Sequence, residues 1–270
     1  MRRLLCVFML FSSVCSAQDY YIPPSSHQPR HVSSYKDSLK KTSSFISFNL
    51  GISIPMQQYG EKTTSSNFMV IGPDSTNGKG FANVGFHGNM NGGIFITPSF
   101  GVCAKVAYNE NTFDESTLNL LVSTTPSTNC TYTINGNYSI WQFMGGIFGN
   151  IQLGKTTSVW VQGMAGLINA NFPSFSIYNL PNLNYVSWNF TLPNAYNLAY
   201  SLSLSFEKAT SQNVSLLATL SYTGAELIYP SLTYNYSSPY YIFPPPYTQN
   251  TPVTMSFGSL DISVGLLFHL

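Results

Sequence analysis

Charge is what this chain of 270 residues most lacks: 11 Lys and Arg and 10 Asp and Glu, 8% of all positions, against about 25% in ordinary globular proteins. So small a stock cannot coat a soluble protein, whose surface typically carries about 25–35% of these residues. The net charge of +1 leaves no electrostatic footprint for nucleic acid. Long apolar runs are missing too, except at the extreme N-terminus, and a spanning helix needs about 20 such residues. That excludes a helical membrane protein. Disorder is excluded by the 44% hydrophobic and 15% aromatic content. No clustered metal ligands and no glycine-rich phosphate loop occur, so no cofactor or metal is expected.

The N-terminus reads as an export signal. Met1-Arg2-Arg3 is basic, Leu4 to Phe11 is apolar, and Ser12 to Ala17 supplies small residues, so residues 1–17 form a secretory signal peptide cleaved before Gln18. Residues 18–44, rich in Ser, Pro, His and basic side chains, show no alternation and are expected to be a flexible periplasmic tether. Residues 45–270 then hold five lysines and eight acids, a net charge of −3.

From Phe45 onward large apolar residues recur at every second position. Ile46, Phe48, Leu50, Ile52 and Ile54 alternate with Ser47, Asn49, Gly51 and Ser53. Leu198, Tyr200, Leu202, Leu204 and Phe206 alternate with Ala199, Ser201, Ser203 and Ser205, and the same habit marks Asn213–Thr223 and the last segment to Leu270. Successive strand side chains point to opposite faces, so these are two-faced strands. Four segments blurred by glycine, Gly80–Ile96, Phe100–Tyr108, Ile134–Leu153 and Ser158–Asn169, bring the expected total to eight. Long connections (57–79, 109–133, 170–193, 224–253) take turns with short ones, as in outer-membrane barrels with short periplasmic turns and longer external loops.

Alternation fits a soluble barrel as well, with the apolar face inward. The polar face decides the matter. It carries Ser, Gly, Asn, Thr and Ala, with Lys105 and Asp261 as its few charges, rather than the Lys and Glu that secure solubility. Small neutral polar groups suit the crowded lumen of an eight-stranded barrel, which leaves the bulky face to lipid. The expected fold is all-β, an eight-stranded antiparallel up-and-down transmembrane β-barrel. Trp141, Tyr108, Tyr138, Trp188 and Tyr222 near the loop ends, with Phe206 and Phe268 near the turns, are expected to form interfacial girdles.

Leu50-Gly51-Ile52-Ser53-Ile54-Pro55, then Gly80-Phe81-Ala82-Asn83-Val84-Gly85-Phe86 and Ile96-Thr97-Pro98-Ser99-Phe100-Gly101, resemble the small outer-membrane β-barrel domain family, in the OmpX/OmpA-like group. The resemblance covers about Phe45–Leu270. It implies a bacterial outer-membrane location, insertion by the barrel-assembly machinery, and roles in envelope integrity, adhesion or secretion. The chain departs from the usual terminal aromatic residue, since Leu270 is last and Phe268 lies before it.

No catalytic set stands out, and the chain is not expected to be an enzyme. His87 shares its parity with Gly85 and Asn89 and is expected in the lumen; His269 falls at the periplasmic end. Lys105 and Asp261 are the expected lumenal charges, either paired across the barrel or each near a wet end. Cys103 would sit opposite about residue 139 were the hairpin centred near Leu121, too far from Cys130 for a disulfide. The fourth long loop holds Tyr229, Tyr234, Tyr236, Tyr240, Tyr241, Phe243 and Tyr247 among many prolines. It is read either as a surface that binds an extracellular protein or glycan or as a cap on the barrel mouth. A plugged barrel with a structural or adhesive role is the leading reading; a narrow porin-like channel and a lipid-modifying enzyme are the alternatives.

Overall fold

The computed structural model describes residues 44–62, 80–117, 130–179, 186–237, 247–249 and 252–270. The expected signal peptide and nearly all of the expected tether lie outside these residues, as do Tyr240, Tyr241 and Phe243. In chain order the elements begin with β1 (Ser44–Met56), the helical turn α1 (Gln57–Gly60), β2 (Gly85–Thr97), β3 (Phe100–Asn111), β4 (Cys130–Asn135) and β5 (Tyr138–Gln152). They continue with β6 (Thr157–Asn171), β7 (Ser174–Asn179), β8 (Val186–Thr191), β9 (Ala195–Ala209) and β10 (Val214–Tyr229). The last are β11 (Leu232–Ser237), β12 (Tyr247–Gln249) and β13 (Val253–His269).

Eight strands close into an antiparallel barrel in the order β1-β13-β10-β9-β6-β5-β3-β2. Closure pairs the first strand with the last, with Phe45 opposite His269 and Met56 opposite Gly258. No barrel edge is left open, which hydrocarbon surroundings demand because unpaired backbone groups find no water there.

The pleat sorts side chains as the alternation requires. Phe48, Leu50, Ile52, Leu202, Leu204, Leu220, Ile262 and Val264 all lie on the exposed outer surface, whereas Ser47, Asn49, Ser201, Ser203, Ser205, Ser221, Ser259, Asp261 and Ser263 are buried within. Apolar area is thus turned outward and polar area inward, the reverse of a water-soluble barrel. Near the C-terminus, Phe268 pairs with Ile46 and packs edge-on against Phe48, with ring centroids 6.3 Å apart.

Two sequence expectations need correction. Strand β10 runs well beyond Thr223, to Tyr229, paired throughout with β13, which begins at Val253, where the last long connection was expected to end. Near the mouth their inward residues become Leu227, Tyr229, Met255 and Phe257, all buried, so the polar alternation that marks the strand fades while the strand goes on. Cys103 lies opposite Gly146, not near residue 139, because β3 extends to Asn111 and its partner begins only at Tyr138. Cys103 is a buried free thiol in the lumen.

The long connections are not merely irregular. Segments from three of them form a second, five-stranded sheet in the order β12-β11-β8-β7-β4. Its register sets Tyr247, Tyr234, Phe190, Phe175 and Ile134 in one line across the strands, and Asn235, Asn189, Ser176 and Thr133 in the next. Aromatic and aliphatic lines thus alternate with Thr, Asn and Ser lines. Phe175 and Ser176 are both buried, whereas Asn189 and Thr191 are exposed.

Candidate functional site

The site is the lumen, which has three layers. At the turn end, Phe45, Phe95, Phe148 and Trp160 interlock, with ring centroids 4.9–6.2 Å apart. Each such pair is worth about 0.5–1.5 kcal/mol beyond its buried area. The rings fit because two neighbours lack a Cβ. One built on Gly93 would lie 2.6 Å from the Phe45 ring, and one on Gly101 2.5 Å from that of Phe148. Gly101→Val is expected to cost about 1–3 kcal/mol by overpacking, read from the urea midpoint of refolded protein.

A polar latch borders this seal. Glu207 accepts hydrogen bonds from Ser158 Oγ (2.5 Å), Trp160 Nε1 (2.7 Å) and His269 Nε2 (2.9 Å). Glu207, beside the short turn that follows β9, is a buried lumenal acid. The His269 that partners it is the expected periplasmic histidine, here joining the last strand to β9 across the intervening β10. Ser215 Oγ lies 3.3 Å from the same Nε2. A hydrolytic triad would need its serine and its acid on opposite ring nitrogens, and this geometry places both on one.

The middle layer is a hydrogen-bonded network around Asp261. Ser259 Oγ (2.6 Å) and Asn109 Nδ2 (3.1 Å) donate to Asp261 Oδ1, and His87 Nδ1 is 3.6 Å from Oδ2. Asn109 Nδ2 also reaches the hydroxyls of Ser53 and Ser259, and its Oδ1 is 2.6 Å from His87 Nδ1. His87 is completely buried. Lys105, also buried, donates to Ser201 Oγ at 3.0 Å. The two lumenal charges named from sequence therefore both sit inside, each held by neutral polar partners, and no ion pair joins them among the described residues.

At the loop end a second aromatic cluster fills the mouth. α1 carries Tyr59 into the opening, where it meets Tyr138 (4.9 Å between ring centroids) and Phe257 (5.0 Å). Tyr138 in turn packs on Phe172 at 5.0 Å, and Phe172 on Tyr229 at 5.8 Å. Burial pushes the Tyr59 hydroxyl well above its ordinary pKa, with the nearby Tyr229 and Asp261 acting in the same direction.

Three aromatic expectations change accordingly. Tyr229 is buried in the mouth cluster rather than presented on a surface loop, because inward parity on β10 carries it under the loops. Tyr138 belongs to the same cluster instead of the girdle, and donates its hydroxyl to Gly80 O at 2.6 Å. Trp188 lies in the loop sheet opposite Ile177. The outer girdle instead includes Tyr108, Trp141, Tyr196, Tyr200 and Tyr222, with Trp141, Tyr196 and Tyr200 exposed and Tyr108 against Trp141 at 4.9 Å. Of the other fourth-loop aromatics, Tyr234 and Tyr236 lie in β11 and Tyr247 in β12.

Beside the mouth, Lys62 reaches Asp114 (2.7 Å) and also Asn83. Partial burial pushes the Asp114 carboxyl up, but hydrogen bonds from Lys62, the Thr117 backbone N–H and the Ser116 and Thr117 hydroxyls outweigh it. They hold the carboxyl well below the ordinary range. A depressed folded pKa stabilises the fold fully above the unfolded value, about 3.9, and that contribution is lost as pH falls through the folded value. Lys62→Met should return the Asp114 titration toward the ordinary range, as followed by its carboxyl carbon NMR shift.

Closure, strand number and inverted polarity define the class: an eight-stranded transmembrane β-barrel, the fold of the small outer-membrane proteins. No family profile and no curated protein matches the chain. Among solved structures it is similar to Neisserial surface protein A, with 9% identity over 84% of this chain and 97% of that one, TM-score 0.41. Ail, the attachment invasion locus protein of Yersinia pestis, is similar at 12% identity over 84% of this chain and 98% of that one, TM-score 0.39. A major outer membrane protein from Thermus thermophilus is similar at 10% identity over 84% of this chain and 99% of that one, TM-score 0.44.

Proposed function

We propose that the protein is a non-conducting, non-catalytic barrel of the bacterial outer membrane that serves as an interaction platform. In this reading residues 1–17 direct export, the barrel-assembly machinery inserts the chain, and the long loops meet an extracellular protein or glycan. The observation that carries it is the pair of aromatic seals, one on either side of the polar layer. A solvated pore needs a continuous polar path, and Phe45, Phe95, Phe148 and Trp160 lie across it. The loop sheet, with uncharged Thr, Asn and Ser lines and a run of Tyr and Trp, suits contact with a neutral polar partner, since such side chains give broad contact at small entropic loss. His87 is completely buried, which favours the non-catalytic reading.

Planar-bilayer recording of purified protein should give no steady conductance steps; such steps would support the narrow channel instead. Deleting residues 230–250 should abolish binding to glycan and extracellular-protein arrays and leave the heat-dependent gel shift of a folded barrel intact. Unchanged array binding would remove the loops from the account.

A further inference from the structure

We infer that the polar layer holds one integral water molecule, bound between Asn49, Asn91 and Lys105. The orientation of the network leads there. Asn109 presents its Nδ2 to Asp261 Oδ1 at 3.1 Å and to the hydroxyls of Ser53 and Ser259. Its Oδ1 is then the acceptor for the Nδ1–H of His87 (2.6 Å). That tautomer leaves His87 Nε2 as an acceptor, filled by Asn89 Nδ2 at 2.8 Å. Asn89 Oδ1 next accepts from Asn49 Nδ2, again at 2.8 Å. Every amide in the relay is thereby fixed, and its last oxygen, Asn49 Oδ1, ends without a protein partner.

Asn91 arrives at the same place by another route. Its Nδ2 donates to Gln162 Oε1 at 3.1 Å, and its Oδ1 is likewise unpartnered. Both asparagines are more than nine-tenths buried, as is Lys105. All three line a cavity of about 10 Å³ together with Gln162, Ser203 and Ser221. A Cβ built on Gly265 would lie 2.3 Å from Asn49 Oδ1, and Gly265 pairs with Leu217, which also lines the cavity. The unpartnered oxygen thus lies on the cavity side.

That volume is of the order needed for a single water centre, and buried waters typically make about three hydrogen bonds. The donor pattern selects among small occupants. Two carbonyl oxygens call for two donors, and the Lys105 ammonium, with one of its N–H groups on Ser201, calls for an acceptor. Water supplies two donors and an acceptor. A halide would face two carbonyl oxygens, and a metal cation would face the ammonium. Through this water Asn49 of β1, Asn91 of β2 and Lys105 of β3, three neighbouring strands, become one unit, and the end of the Asp261 relay is satisfied.

The test is a crystal structure of the refolded protein grown with bromide in place of chloride, at a resolution that shows ordered solvent. One isolated peak within about 3 Å of Asn49 Oδ1, Asn91 Oδ1 and Lys105 Nζ, without bromide anomalous signal, is expected. An anomalous peak in the cavity would overturn the inference in favour of an anion site. So would a Lys105 side chain bonded directly to Asn49 with no solvent between them. In crystals of Lys105→Met the peak should disappear; its persistence in place would show that the lysine does not hold it.

Discussion

Asp261→Ala is expected to destabilise the barrel by about 3–5 kcal/mol, the range for removing one partner of a buried charged network. The carboxylate is the common acceptor of Ser259 and Asn109 and lies 3.6 Å from His87 Nδ1. Without it Ser259 and Asn109 lose their shared charged acceptor and keep only neutral hydroxyl partners, and Lys105 loses its opposing charge. Equilibrium urea unfolding from lipid vesicles reads the loss directly. Asp261→Asn keeps the shape and one acceptor and should cost less than the alanine. A change below about 1 kcal/mol, the value of a single ordinary hydrogen bond, would mean that the network is not what organises the interior.

The second large effect belongs to the outer surface. Val264→Lys should cost about 2–4 kcal/mol in a bilayer, the price of a cation on the lipid face near the midplane, whereas Leu153→Lys, in the short turn that follows β5, should cost about 0–1 kcal/mol. Val264 is 67% and Leu153 63% exposed to the surroundings, so neither substitution disturbs internal packing much. The contrast in depth therefore isolates the membrane. Equal costs at both positions would count against lipid as the neighbour of this face.

How far the fold could be read from sequence varied from strand to strand, for a physical reason. In β9 the inner residues Ser201, Ser203 and Ser205 contrast with the outer leucines, and the alternation is plain. In β5 and β6 the inner wall carries Ile140, Met144, Met164 and Ile168, all buried, so both faces are apolar and the period is blurred. The same effect hid the mouth end of β10, where Leu227 faces inward. Glu207 escaped notice because an acid next to a short turn reads as a turn residue; Trp160, a large aromatic at inward parity on the facing strand, was the available signal.

The site was less legible than the fold. His87 and Asn109 are cross-strand partners in the β2–β3 pair, but Asp261 joins them only when the barrel closes, so no local spacing announces the set. Lys105 and Asp261 could be named as lumenal charges because charge is so scarce on these strands, but their separate neutral partners depend on register. The loop sheet was hidden for a related reason. Its strands of three to six residues are contributed by different loops and gain stability only by pairing with one another. Tyr229 was misplaced because the end of β10 was.

Site-directed spin labels at Leu202 and Ser203, in bilayers, address the inverted polarity most directly. A label at 202 should be accessible to oxygen dissolved in the hydrocarbon and shielded from a water-soluble nickel reagent, while one at 203 should be shielded from the oxygen. A label at 203 more accessible to oxygen than one at 202 would contradict the account, because bulky side chains would then be lining the interior.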